Sequence, residues 1–105
     1  MNFATEPPRA AIDALQEPAV IEFGASCCGH CSTAQPLSIA ALAKPPQVRH
    51  IKVEDGPGRR LGRSFRVKLW PTLIFLHHGR EVERMVRPSD SSAIEQALAQ
   101  IDIAG

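Results

Sequence analysis

A chain of 105 residues, 44% apolar and 22% charged, has the length of one domain and enough apolar side chains to bury a core, which excludes wholesale disorder. A net charge of +1 with 5% aromatic residues and no Tyr supplies neither a global field nor a stacking surface, so no nucleic-acid or membrane partner is expected. The longest apolar runs, residues 39–43 and 73–76, are too short to span a bilayer, and residues 1–8 lack a basic or apolar leader region, so the chain as given is expected in the cytoplasm.

Pro7-Pro8 precedes residues 9–15, a short predicted helix with Ala11, Ile12 and Leu15 as its apolar positions and Pro18 beyond its end. Residues 19–23 read as a strand that is apolar on both faces except at Glu22. Gly24-Ala25-Ser26 is a turn. From Cys28 to about Ala43 the spacing of Leu37, Ala40 and Ala41 predicts a helix, with a kink at Pro36. Lys44-Pro45-Pro46 breaks the chain before a second strand over 48–53. Gly56-Pro57-Gly58 is a turn, and 59–65 a short basic helix. Residues 73–76 form a buried strand entered through Trp70-Pro71. His78-Gly79 turns a hairpin into an edge-like antiparallel strand over 81–86. Ser89-Asp90-Ser91-Ser92 supplies helix caps, with Glu95 three residues after Ser92. The last helix then carries Ala93, Ile94, Ala97, Leu98 and Ile101 on one face. This order predicts one α/β domain over 1–105. Its two βαβ units imply parallel pairing through right-handed crossovers, and the hairpin adds antiparallel strands.

All three cysteines, Cys27, Cys28 and Cys31, fall within five residues. A structural disulfide framework spreads its cysteines to close long loops, so this cluster points to reactive or metal-bound sulfur. Cys28-Gly29-His30-Cys31 sits where a strand gives way to a helix. Backbone N–H groups and the helix dipole there favour a thiolate on Cys28, and i,i+3 spacing brings Cys31 within disulfide reach. A zinc site would need a second ligand pair at matching spacing, which His30, His50, His77 and His78 do not provide, so no metal and no bound cofactor are expected. His50, His77 and His78 read as a strand residue and hairpin residues. Glu22, in a strand apolar on both faces, is costly unless it is hydrogen-bonded, held protonated, or able to reach solvent.

The charge is unevenly placed. From Lys44 to Arg87 there are 11 Lys and Arg against 4 acids, a local excess of +7, while the remainder holds Arg9 against 7 acids. Arg59, Arg60, Arg63 and Arg66 lie on or beside one short helix, either as a solvated face or as a docking surface for an acidic protein.

The run Glu22-Phe23-Gly24-Ala25-Ser26-Cys27-Cys28-Gly29-His30-Cys31 with Pro36 five residues on, Trp70-Pro71-Thr72 before an apolar strand, and Gly79-Arg80-Glu81-Val82 resembles the thioredoxin superfamily over nearly the whole chain. The Cys-Gly-His-Cys tetrapeptide and Glu22 are more like protein disulfide isomerase domains than like a Cys-Gly-Pro-Cys reductant. The resemblance implies a three-layer α/β/α sandwich around a mixed sheet and a thiol–disulfide oxidoreductase acting on proteins. Cys28 would attack, Cys31 would resolve the mixed disulfide, and Glu22 beneath Cys31 would move its proton. His30 would favour the dithiol form and make the pair more oxidising. Trp70, a cis Pro71, Gly29 and Arg87 would bound the substrate groove, with Trp70's backbone groups open to a substrate strand. From the residues alone, Pro71 equally suits a trans proline at a strand start. Four departures from the usual pattern stand out: Cys27 replaces a tryptophan, Gly24 an aromatic, Ser32 a lysine, and Arg87 a glycine. The expected partners are proteins with disulfides or thiols, acidic ones among them, and an upstream reductase or oxidant, with the chain a monomer. The competing reading is a non-enzymatic adaptor, chaperone or redox sensor on the same fold.

Overall fold

The computed structural model describes residues 7–24, 48–56, 59–87 and 91–103. The elements are α1 (Arg9–Asp13), β1 (Ala19–Gly24), β2 (Arg49–Glu54), α2 (Arg60–Ser64), β3 (Thr72–His77), β4 (Arg80–Val86) and α3 (Ser91–Ile103). The expected helix from Cys28, its kink at Pro36, and the caps at Ser89 and Asp90 lie outside the described residues. Ser92, expected as a cap, lies inside α3.

Among the described residues four strands form one mixed sheet in the order β2-β1-β3-β4. The two central strands, β1 and β3, are covered on both faces, which is why their sequences are apolar on both faces apart from Glu22 in β1 and the terminal Thr72 and His77 of β3. On one face Ile21, Phe23, Ile74 and Leu76 pack with Ile12 of α1 and with Leu61 and Phe65 at α2. On the other, Val20, Leu73 and Phe75 pack with Ile94, Ala97 and Leu98 of α3. The result is a three-layer α/β/α sandwich. Ala11, expected on the apolar side of α1, is exposed, because a helix of five residues has room for one inward position, and Ile12 takes it.

β1 and β2 pair in parallel, Ala19 opposite Arg49 through Gly24 opposite Glu54. β3 corrects the expectation of a second parallel crossover: it runs antiparallel to β1, Phe23 opposite Thr72 and Ala19 opposite Leu76. The two ends of the connection are held together, the Trp70 indole N–H donating to Asp55 Oδ2 at 2.9 Å. The chain therefore enters β3 at the end where it left β2.

α2 closes with a Schellman turn: Val67 N–H donates to Gly62 O at 2.9 Å and Arg66 N–H to Arg63 O at 3.0 Å. Arg66 occupies the left-handed position at φ 58°, where glycine is usual. Arg9 joins α1 to α2 by stacking 3.8 Å over the Phe65 ring and donating to Ser64 O at 3.0 Å. The β3–β4 hairpin turns through His78 and Gly79, both at positive φ. Gly79 also abuts the Asp13 backbone, so a side chain there would meet α1 as well as strained φ. β4 forms an edge, and its alternating Val82 and Val86 are exposed.

Candidate active site

Four stretches of chain meet at the end of the sheet where β1 finishes. Asp55, just past β2, donates its N–H to Gly24 O at 2.8 Å. Thr72 opens β3 opposite Phe23, and Val86 ends β4 opposite Thr72. Arg87 N–H then donates to Pro71 O at 2.9 Å. The short loop into β3 is held on all sides. The Trp70–Pro71 peptide is cis. Buried Thr72 donates its hydroxyl to Leu69 O at 2.6 Å, and the indole N–H of Trp70 donates to Asp55 Oδ2 at 2.9 Å. Asp55 can approach this closely because Gly62 of α2 carries no Cβ: one built there would lie 2.5 Å from Asp55 Oδ1.

Arg87 changes the expected role of this loop. Its Nε donates to Trp70 O at 2.9 Å. The Trp70 carbonyl, expected to be open to a substrate strand, already accepts from an arginine of the same chain. Arg87 is exposed and at φ 52°, again in the left-handed region.

Glu22 alternates with Val20 and so lies on the α3 face of β1. Its side chain is 1% exposed. Oε1 lies 2.8 Å from Nε2 of His50, whose own side chain is 18% exposed. Oε2 is buried without a hydrogen-bond partner among the described residues. The reading in which Glu22 reaches solvent is therefore replaced by one in which it is buried and tied to a half-buried imidazole. His50 faces Val20 across the parallel pair, one row from Lys52 opposite Glu22. The sequence marks His50 only as a strand residue. Its link to Glu22 depends on a register between segments 28 positions apart.

The basic cluster divides. Arg59, Arg63 and Arg66 line one groove together with Lys68 and Trp70, while Arg60 lines another beside Pro8 and Arg9. Cys27, Cys28, Gly29, His30 and Cys31 lie outside the described residues. Among the described residues no group of three or more His, Cys, Asp or Glu could hold a metal ion, and no helix is long and apolar enough to cross a membrane.

The sequence profile of the thioredoxin family matches residues 4–100. The chain belongs to the thioredoxin family. It is similar to thioredoxin 2 from Pseudomonas aeruginosa PAO1 in its reduced form, with 51% identity over 100% of this chain and 98% of that one, at a TM-score of 0.85. A thioredoxin from Chlamydia trachomatis is 32% identical over 81 residues, 77% of this chain and 79% of the relative. Thioredoxin NaTrxh from Nicotiana alata shares the fold at a TM-score of 0.73 and 27% identity, over 88% of this chain and 79% of that one. Membership in the thioredoxin family carries thiol–disulfide oxidoreductase chemistry as its general activity.

Proposed function

We propose that this chain exchanges disulfides with proteins through the pair Cys28 and Cys31. The observation that carries the reading is the shared sheet end. The chain leaves β1 at Gly24, four residues before Cys28, and Phe23 pairs with Thr72 beside Trp70-Pro71. A substrate strand lying on that loop is thereby brought to the segment that follows β1.

The Cys28 thiolate attacks one sulfur of the substrate disulfide. That S–S bond breaks, the other substrate sulfur leaves as a thiolate and takes a proton, and a mixed disulfide forms. The Cys31 thiol then gives up its proton and attacks Cys28 Sγ, expelling the second substrate sulfur. Two electrons have passed to the substrate, and Cys28–Cys31 is a disulfide. An upstream reductase returns the electrons, or an oxidant drives the cycle in reverse. Glu22 is the buried base for the Cys31 proton, and His50 links that carboxylate toward solvent. His30, between the cysteines as in protein disulfide isomerase domains, favours the Cys28 thiolate and makes the pair more oxidising than a Cys-Gly-Pro-Cys site. Trp70, Pro71, Gly29 and Arg87 bound the substrate groove. A monomeric single domain working in the cytoplasm completes the proposal.

The test is turnover. Reduction of a protein disulfide such as insulin by dithiothreitol should be accelerated by the protein and not by Cys28→Ser. Equal acceleration by both would leave the adaptor or sensor reading in its place.

A further inference from the structure

We infer that the groove beside Trp70 is a docking surface for an acidic polypeptide segment flanking the disulfide of the substrate protein, an inference that rests on the oxidoreductase reading above. The groove has a volume of about 490 Å³ and is lined by Arg59, Arg63, Arg66 and Lys68 with Trp70 and Asp55 among others. The four cations are exposed. Arg59 has a loose partner in Glu54, at 3.6 Å, while Arg63, Arg66 and Lys68 form no salt bridge among the described residues. Among the described lining residues the only carboxylate is Asp55, and one of its oxygens already accepts from the Trp70 indole. The described lining therefore presents several positive charges around one concavity with a single acid among them.

Place adds to charge. Trp70 is both a wall of this groove and the residue before Pro71 in the loop into β3. A chain passing over that loop runs directly into the four cations. Arg66 takes its place in the lining from the left-handed position that closes α2, at φ 58°. The complementary ligand is a run of Asp and Glu one or a few residues from the reacting cysteine. Exposed ion pairs are individually weak, so three or four acting together give about a tenfold preference at low salt, screened away at high salt.

The experiment uses two peptide disulfides, identical except that Asp and Glu flank the cysteine in one and Asn and Gln in the other. Cysteine-free serine versions of both, carrying an uncharged dye, report binding by anisotropy. The expected result is about a tenfold higher kcat/KM and about a tenfold tighter Kd for the acidic peptide at low ionic strength. Both preferences should collapse in 0.5 M salt and be lost in Arg63→Glu/Lys68→Glu, both of whose sites are exposed. Equal reduction and equal binding of the two peptides would overturn the docking surface and leave the oxidoreductase reading intact. Reduction of neither peptide, with the acidic preference in binding retained, would overturn that reading and leave the surface standing. An oligonucleotide of matched charge that binds more tightly than the acidic peptide would assign the groove to nucleic acid and overturn the proposal.

Discussion

Glu22 Oε1 and His50 Nε2 lie 2.8 Å apart across the parallel β1–β2 pair, with the carboxylate 1% and the imidazole 18% exposed. The pair joins a buried acid to a residue that water can reach. Its two members are unequal in consequence. Removing the imidazole strands a buried carboxylate, whereas removing the carboxylate leaves an imidazole that can still be hydrated.

His50→Leu should therefore destabilise the fold at neutral pH by about 3 kcal/mol, the scale for breaking a buried pair from one side. Glu22→Leu should be neutral or stabilising, because an apolar residue in this layer removes the desolvation cost altogether. Urea unfolding of both variants beside the parent checks the contrast. Equal losses for the two would mean that the pair acts only as a packing contact.

Glu22→Gln keeps the shape of the side chain but cannot take a proton. Turnover should fall by about 10²-fold near pH 7, with the mixed disulfide accumulating, because resolution by Cys31 loses its base. Trapping the mixed disulfide by acid quench and counting it by mass gives the direct readout. Unchanged turnover with no accumulation would make Glu22 a structural residue only.

Trp70 is the single tryptophan and there is no tyrosine, so its emission is unambiguous. Its indole N–H is fixed on Asp55, which holds the ring in the wall of the groove. A disulfide close to an indole quenches it. Reduction of Cys28–Cys31 should raise the emission, and Cys31→Ser should abolish the response. A flat titration in protein whose thiol count has changed would place the indole away from the redox pair.

Arg87 Nε donates to Trp70 O at 2.9 Å from a backbone at φ 52°. Arg87→Gly suits that conformation and releases the carbonyl. Strain relief of about 1 kcal/mol is offset by the larger unfolded-state entropy of glycine and the lost hydrogen bond, so stability should change by less than about 1 kcal/mol. KM for an uncharged peptide disulfide should fall several-fold with kcat unchanged, since a substrate strand no longer competes with the guanidinium for Trp70 O. A raised KM would show instead that Arg87 itself holds the substrate.

Much of the architecture is written locally. Apolar runs at 19–23, broken only by Glu22, and at 73–76 announce central strands because only strands covered on both faces need them. His78-Gly79 announces the hairpin because both positions take positive φ. Cys28-Gly29-His30-Cys31 and the lone strand acid Glu22 suggest the proposed chemistry through residue type and spacing along one chain. The tertiary structure alone decided what depends on distance between remote segments. The antiparallel direction of β3 goes with a connection whose two ends, Asp55 and Trp70, are bonded at one end of the sheet. The bond from His50 to Glu22 follows from a strand register, the anchoring of Trp70 on Asp55 from the bare Cα of Gly62, and the separation of Arg60 from Arg59, Arg63 and Arg66 from the way α2 is seated. Side-chain partners across a sheet are chosen by packing in three dimensions, and a one-dimensional pattern records only that each residue tolerates its own strand or helix.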